Sequence, residues 1–219
     1  MEKIMLSLSG GLDSAVLLNT AIYEKKNPTA VSFIYPSKHN EYERAAAVSI
    51  CNYYSLELHS VNITSVLASF KSNLLKGQGD IPEGHYEDKS MSQTVIPARN
   101  MIFISILTGL AESNDAKEVW LGVHSGDHLI YPDCRPEFIE NMNLAVGKAT
   151  DKNIRLKAPF LNWNKTDIIA QGLLLNFPFH LTRTCYKNQP IACGKCGSCV
   201  ERLEAFKANG IKDVIKYEE

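Results

Sequence analysis

Six residues near the start of the chain, Ser9-Gly10-Gly11-Leu12-Asp13-Ser14, have the types and spacing to hold a phosphate chain. Two adjacent glycines let the backbone come close to an anion, because no Cβ blocks the approach. The amides of Gly10 to Ser14 can then converge on it, helped by the positive end of the following helix dipole. Ser9 and Ser14 add hydroxyl donors. Asp13 has the chemistry to cap the helix and to reach a Mg²⁺ carried by the phosphates. The stretch lies between a short apolar run, Ile4 to Leu8, and an apolar-periodic segment, Ala15 to Ile22. Strand, glycine turn and helix start, in that order, mark the place where an α/β fold binds phosphate. An ordinary strand-to-helix turn capped by Asp-Ser is the competing reading.

Two commoner phosphate loops are excluded. No Gly-Lys-Ser or Gly-Lys-Thr follows, and there is no G-x-G-x-x-G. The hexapeptide instead resembles the pyrophosphate loop of the N-type ATP pyrophosphatases. Those enzymes cleave ATP between its α and β phosphates and adenylate a substrate oxygen.

Cys185, Cys193, Cys196 and Cys199 form a second constellation, C-x7-C-x2-C-x2-C. Overlapping C-x2-C units containing Gly194 and Gly197 make knuckles whose turns can aim four sulfurs at one ion. Four thiolates suit a tetrahedral Zn²⁺ with no open position, hence a structural site. An iron–sulfur cluster is the rival, but the ferredoxin pattern continues x3-C-P, which this chain lacks. Zinc is expected, contributing on the order of 10 kcal/mol to ordering a segment poor in core residues.

The elements that must position these groups follow from the periodicity. Ser14 to Lys26 reads as an amphipathic helix, Thr29 to Tyr35 as a strand, and Glu41 to Tyr54 as a helix with Ala45, Val48 and Cys51 on one face. Leu56 to Val61 is a third strand. Lys76 to Thr94 breaks the rhythm, with Gly77, Gly79, Pro82 and Gly84 among charges, and is expected to be a mobile flap near the site. Pro97 to Ala111 is a helix with Ile102, Ile106, Leu107 and Leu110 on one side, and Glu118 to Val123 a strand. Pro136 to Lys148 is a helix, Ile154 to Ala158 a strand, and Lys165 to Leu175 a helix capped by Asn164. Strands alternating with helices predict a parallel, doubly wound α/β sheet with helices on both faces and a C-terminal zinc-binding segment.

Composition narrows the class. With 219 residues the chain suits one domain with a small appendage, drawn at 1–180 and 181–219 and packed as one unit. Such a domain buries roughly 70% of its unfolded surface and needs no disulfides. A formal net charge of −1 argues against electrostatic coating of nucleic acid, so no direct nucleic-acid binding is expected. No run approaches about eighteen apolar residues, and Met1-Glu2-Lys3 leads straight into a strand. A cytoplasmic protein with reduced cysteines, no membrane span and no signal peptide is expected.

The middle of the chain closes the field. Pro97-Ala98-Arg99-Asn100-Met101, Gly122-Val123-His124 followed by Asp127, and Tyr131-Pro132-Asp133-Cys134-Arg135-Pro136-Glu137-Phe138 resemble the 7-cyano-7-deazaguanine synthase family. Leu181-Thr182-Arg183-Thr184-Cys185-Tyr186 fits as well, and the resemblance runs to about Phe206. The Cys185–Cys193 interval looks one residue short, which leaves the ligands unchanged. The resemblance implies an adenine-nucleotide alpha hydrolase-like fold. It also implies an ATP-dependent ligase that takes 7-carboxy-7-deazaguanine and ammonia to the nitrile, with AMP and pyrophosphate as by-products, and a homodimer. An enzyme stopping at the amide, a tRNA thiolase, and a non-enzymatic nucleotide or zinc-ribbon module are the alternatives.

Site residues carried by this resemblance fall into four groups. ATP, with Mg²⁺, is expected along Leu8, Ser9, Gly10, Gly11, Leu12, Asp13 and Ser14 and into the helix at Ala15, Val16, Leu17 and Leu18. Ser9, Asp13, Ser14, Arg99 and Lys165 are the expected catalytic set, Arg99 and Lys165 each starting a helix where a phosphate can be touched. His124, Asp127, Asp133 and Arg135 are expected at the 7-deazapurine acid: the aspartates on the ring N–H and amino groups, Arg135 on the carboxylate. Loop caps, solvated histidines and a salt bridge from Arg135 to Glu137 or Glu140 compete with these roles. The metal ligands are the four tail cysteines. Cys51 is expected in the core of its helix, and Cys134 as a packed, site-lining thiol.

Overall fold

The computed structural model describes residues 1–218. Its five strands are β1 (Lys3–Ser7), β2 (Asn27–Ile34), β3 (Leu58–Asn62), β4 (Glu118–Trp120) and β5 (Arg155–Lys157), all parallel in the order β3-β2-β1-β4-β5. The chain winds outward from β1 to β3, then crosses back to β4 and on to β5. The crevice where the winding reverses therefore opens beyond the ends of β1 and β4, where open α/β sheets bind ligands.

Seven helices cover the sheet: α1 (Leu12–Tyr23), α2 (Asn40–Tyr53), α3 (Thr64–Leu67), α4 (Arg99–Ser113), α5 (Pro136–Lys148), α6 (Lys165–Leu174) and α7 (Gly197–Ala208). Alternation along the strands sorts them. Ile4, Leu6, Ala30 and Trp120 point into one core with α1, α2, α6 and α7. Met5, Val31, Phe33 and Val119 point into the other with α4 and α5, where Phe33 stacks on Phe103 at 4.0 Å. Both faces are buried, as parallel sheets require. The expected architecture is the one observed, and no helix among the described residues is long and apolar enough to cross a membrane.

Two apolar stripes differ from expectation. On α2 the buried residues are Ala46, Ala47, Ile50 and Cys51, while Ala45 and Val48 are exposed. The i, i+3, i+4 series through Ala46 is longer than the one through Ala45, so the helix turns by about one residue to bury it. On α4 the deepest line is Asn100, Phe103, Ile104, Leu107 and Ala111, with Ile102, Ile106 and Leu110 only flanking it. Strand β4 ends at Trp120, earlier than expected; Leu121 keeps one bond to the Lys157 carbonyl, and Leu121 to Val123 line the crevice.

The C-terminal segment is not a loose appendage. Ala205 and Phe206 of α7 join the α1-side core, and the guanidinium of Arg202 is fully buried. Its donors reach both oxygens of Asp213 (2.7 and 3.0 Å) and the hydroxyls of Thr182 and Thr184 (2.6 and 2.9 Å).

Candidate active site

The turn after β1 is shaped by what packs against it. Gly10 has φ +94°, and a Cβ there would lie 2.1 Å from the Glu43 carbonyl oxygen and 2.8 Å from the Ala47 amide nitrogen. Only glycine permits both the conformation and the contact with α2. Within the turn, the Ser9 amide donates to Ser14 Oγ (3.2 Å), the Gly11 amide to Ser9 Oγ (3.0 Å), and Ser14 Oγ to the Gly11 carbonyl (3.2 Å). The hydroxyls are thereby fixed before any ligand arrives.

Asp13 does not cap α1; Gly11 precedes the helix and no side chain caps it. The Asp13 carboxylate instead faces Lys165 Nζ, at 2.8 and 2.7 Å from its two oxygens. Asn164 fixes the start of α6, exchanging capping hydrogen bonds with Asp167, and so brings Lys165 to the crevice. Burial disfavours both charges, yet each stabilises the other. Asp13 is held below the usual carboxylate range, and Lys165, with Glu201 Oε2 also at 3.3 Å, above the usual lysine range.

His124 lies behind this pair. Its Nδ1 accepts from the Gly126 amide (3.1 Å), which leaves the proton on Nε2, 3.8 Å from Asp13 and 3.7 Å from Asp127. Asp127 accepts from Tyr86 Oη (2.8 Å), and Tyr86 is the residue that the 76–94 loop inserts into the crevice. That loop is docked on the cysteine segment: the Gly84 amide donates to the Lys195 carbonyl at 3.0 Å.

The expected residues separate into three groups. Leu8, Ser9, Gly11, Leu12, Asp13, Ser14, Arg99, His124, Asp127, Cys134 and Lys165 all border one crevice. Ala15, Val16, Leu17 and Leu18 lie in the core beneath it with no exposed surface, so their side chains cannot touch a nucleotide. Asp133 and Arg135 also fall outside the lining. Asp133 Oδ2 accepts the Asn100 amide (2.7 Å) at the start of α4, and Arg135 Nε donates to the His128 carbonyl (3.0 Å). Both support the wall that carries Arg99, and Arg135 pairs with neither Glu137 nor Glu140 among the described residues.

Cys134 borders the crevice with Asn100 Nδ2 3.1 Å from its sulfur, and burial pushes its thiol well above the usual range, unlike a reactive nucleophile. Residues that the sequence reading passed over also line the site: Tyr35, His39, Glu43, Tyr86, Arg183 and Tyr186. For Glu43 the signal was present. It stands three and four residues before Ala46 and Ala47, on the buried face of α2.

The four tail cysteines are buried and free, with sulfurs within 4.8 Å of one another. Tetrahedral thiolates at about 2.3 Å from a metal ion would stand about 3.8 Å apart, inside that limit. Amides of Lys187 and Cys193 point at Cys185 Sγ, and those of Lys195 and Cys196 at Cys193 Sγ, at 3.3 to 3.4 Å. Such amides offset thiolate charge, so the donor set fits a bound metal. The same segment supplies a crevice wall through Arg183, Thr184, Tyr186 and Ser198.

A family model described as queuosine biosynthesis protein QueC matches residues 3–210. The chain belongs to that family. QueC relatives include 7-cyano-7-deazaguanine synthase 2 of Colwellia psychrerythraea, 44% identical over 218 residues that span 99% of both chains. The 7-cyano-7-deazaguanine synthase of Alteromonas mediterranea is 43% identical over 217 residues, again 99% of each. Among solved structures, NMN synthetase from Francisella tularensis matches 97% of this chain and 79% of its own, with TM-score 0.53 and 15% identity. A predicted subunit of tRNA methyltransferase from Methanocaldococcus jannaschii matches 97% and 90%, with TM-score 0.51 and 12% identity. At those identities the two structures speak to the fold alone.

Proposed function

We propose that the protein is an ATP-dependent ligase converting 7-carboxy-7-deazaguanine and ammonia to 7-cyano-7-deazaguanine through two adenylations, first of the acid and then of the amide. The observation that carries this reading is the Lys165–Asp13 pair set against the Ser9–Ser14 turn, in a chain whose family relatives bear that enzyme's name. A carboxylate is a poor acyl donor, and adenylation gives it AMP as a leaving group. The turn amides and the Ser9 and Ser14 hydroxyls would take up the charge that develops on departing pyrophosphate, electrostatic stabilisation by donors already in place.

Asp13 is the carboxylate that would hold the Mg²⁺ of ATP, and Lys165, at 2.8 and 2.7 Å from its oxygens, would face the phosphates beside it. Arg99 approaches from the start of α4, and Asp127, held by Tyr86 and His124, offers an acceptor to the base of the deazapurine. Tyr86 and its loop exclude water from the acyl-adenylate. Zinc is the proposed ion of the four cysteines, where it would supply a fixed tetrahedral anchor and no reactive position.

A tRNA thiolase would need a thiol able to carry a persulfide, and the buried, protonated Cys134 offers none. Pyrophosphate–ATP exchange, measured without ammonia, tests the reading. Exchange should depend on added 7-carboxy-7-deazaguanine; exchange that ignores the acid would refute it.

A further inference from the structure

Building a nitrile from an acid and ammonia requires nitrogen to lose protons repeatedly. The adduct of ammonia with the acyl-adenylate carries –NH₃⁺ and must give up a proton as the C–O bond to AMP breaks. After adenylation of the amide oxygen, two further N–H protons leave while the second C–O bond breaks and C≡N forms. Something in the crevice has to accept them, because solvent water there would hydrolyse the same intermediates.

Elimination leaves one side chain. Of the carboxyls on the crevice wall, Asp13 has both oxygens taken by Lys165. Asp127 accepts from Tyr86 Oη and the His124 amide, and its remaining acceptor capacity serves the deazapurine base in the ligase reading above. His124 has Nδ1 occupied by the Gly126 amide and its proton on Nε2, so it presents no free lone pair. The Tyr86, Tyr131 and Tyr186 phenols and the Cys134 thiol are held protonated by burial. His39 is fully buried, and burial followed by the charge of Arg99 pushes it down to about 3, so it binds protons too weakly.

Among the carboxyls that line the crevice, Glu43 is the one that accepts no hydrogen bond from the described residues. His39 Nε2 lies 3.4 Å from its Oε2. Its carboxyl is only partly covered, borders the crevice, and reaches to 4.0 Å from the Cβ position of Gly11 in the phosphate turn.

We propose that Glu43 is the proton acceptor of the ammonia-consuming steps, taking protons from nitrogen at the adenylated carbon and returning them to solvent between steps. The inference rests on the ligase reading above. Four groups face the carboxyl: His39 from the turn before α2, Arg99 from α4, Arg183 from the segment before Cys185, and Tyr35 from beyond β2. Burial raises Glu43 to about 8 against the pull of the two guanidiniums, near the range in which a general base is most useful.

The test separates proton acceptance from nucleotide binding. In Glu43→Gln, ammonia-dependent nitrile formation should fall by roughly 10²-fold or more, the loss typical of a general base. Acid-dependent pyrophosphate exchange should fall far less. Hydroxylamine, uncharged at neutral pH, forms an adduct that loses its proton to water readily, so hydroxamate formation should survive much better than nitrile formation. Glu43→Asp keeps the base and should recover part of the rate with a shifted pH profile. Equal losses of exchange, hydroxamate and nitrile in Glu43→Gln would overturn the proposal and make Glu43 a binding residue. An unaltered pH profile of kcat/KM for ammonium would overturn it as well. If the unaltered protein shows no acid-dependent exchange, the ligase reading itself has failed.

Discussion

Lys165 Nζ sits 2.8 and 2.7 Å from the two carboxylate oxygens of Asp13, joining the start of α6 to the phosphate turn across 152 residues of sequence. Lys165 is buried and Asp13 half-buried, and either charge left there without its partner would pay the desolvation cost alone. Lys165→Ala and Asp13→Asn should each lower turnover by about two orders of magnitude or more, the scale of a lost transition-state donor. Ser14→Ala should behave similarly. Circular dichroism should show the fold retained, and a near-wild-type rate in any of the three would remove the pyrophosphate-loop reading.

The turn, the four cysteines and the strand–helix alternation were legible because each depends on local spacing. Lys165 could be placed at a helix start from the Asn164 cap, but not opposite Asp13, since that contact is made by packing between α1 and α6. A helix-capping carboxylate and a base-reading carboxylate look alike in sequence, and Asp133 has its Oδ2 on the Asn100 amide in the fold. A stripe through Ala45, Val48 and Cys51 leaves Glu43 off the buried side of α2, whereas the observed stripe through Ala46, Ala47 and Ile50 includes it. The apolar side chains from Ala15 to Leu18 belong to the same stretch as the turn, yet α1 carries them beneath the crevice.

The cysteine segment supports the crevice from two sides. Arg183 donates its amide to the Gly10 carbonyl (2.9 Å), and its guanidinium reaches the carbonyls of Lys187, Gln189 and Pro190 between the first two ligands. Gly84 is tied to Lys195 between the second and third. Metal removal should therefore speed amide hydrogen exchange at Gly84 and around Gly10, not only at the cysteines. X-ray absorption should find four sulfurs near 2.3 Å around zinc. Iron with acid-labile sulfide in anaerobically prepared protein would contradict the zinc assignment.

Buried His39 and largely covered Glu43 give stability an unusual pH dependence. His39 drops to about 3 on folding from an ordinary 6.5. Between those values the unfolded chain binds a proton that the folded chain refuses, so stability falls as pH drops, by up to about 1.4 kcal/mol per pH unit. Glu43 rises to about 8 from an ordinary 4.5. Its contribution is intact below the unfolded value and is lost as pH climbs to about 8, because only the unfolded chain ionises across that window. Glu43→Gln should accordingly gain stability over the unaltered protein at pH 9 and differ little at pH 5. Denaturant midpoints showing the same difference at both pH values would rule this out.

Tyr86 ties the 76–94 loop to Asp127 by one hydrogen bond. Tyr86→Phe removes the hydroxyl and leaves the ring, so the loop should close less often over the acyl-adenylate. The expected sign is more AMP released per nitrile formed, as water takes a share of the intermediate. An unchanged ratio would mean that the loop does not guard the reaction.

The central claim is a doubly adenylating synthesis of a nitrile. It is tested most directly by incubating the protein with 7-carboxy-7-deazaguanine, ATP and ammonium and following products by mass spectrometry with nucleotide quantitation. The account predicts 7-cyano-7-deazaguanine and two AMP for each nitrile made. Accumulation of the amide without nitrile, or ADP and phosphate in place of AMP and pyrophosphate, would contradict it.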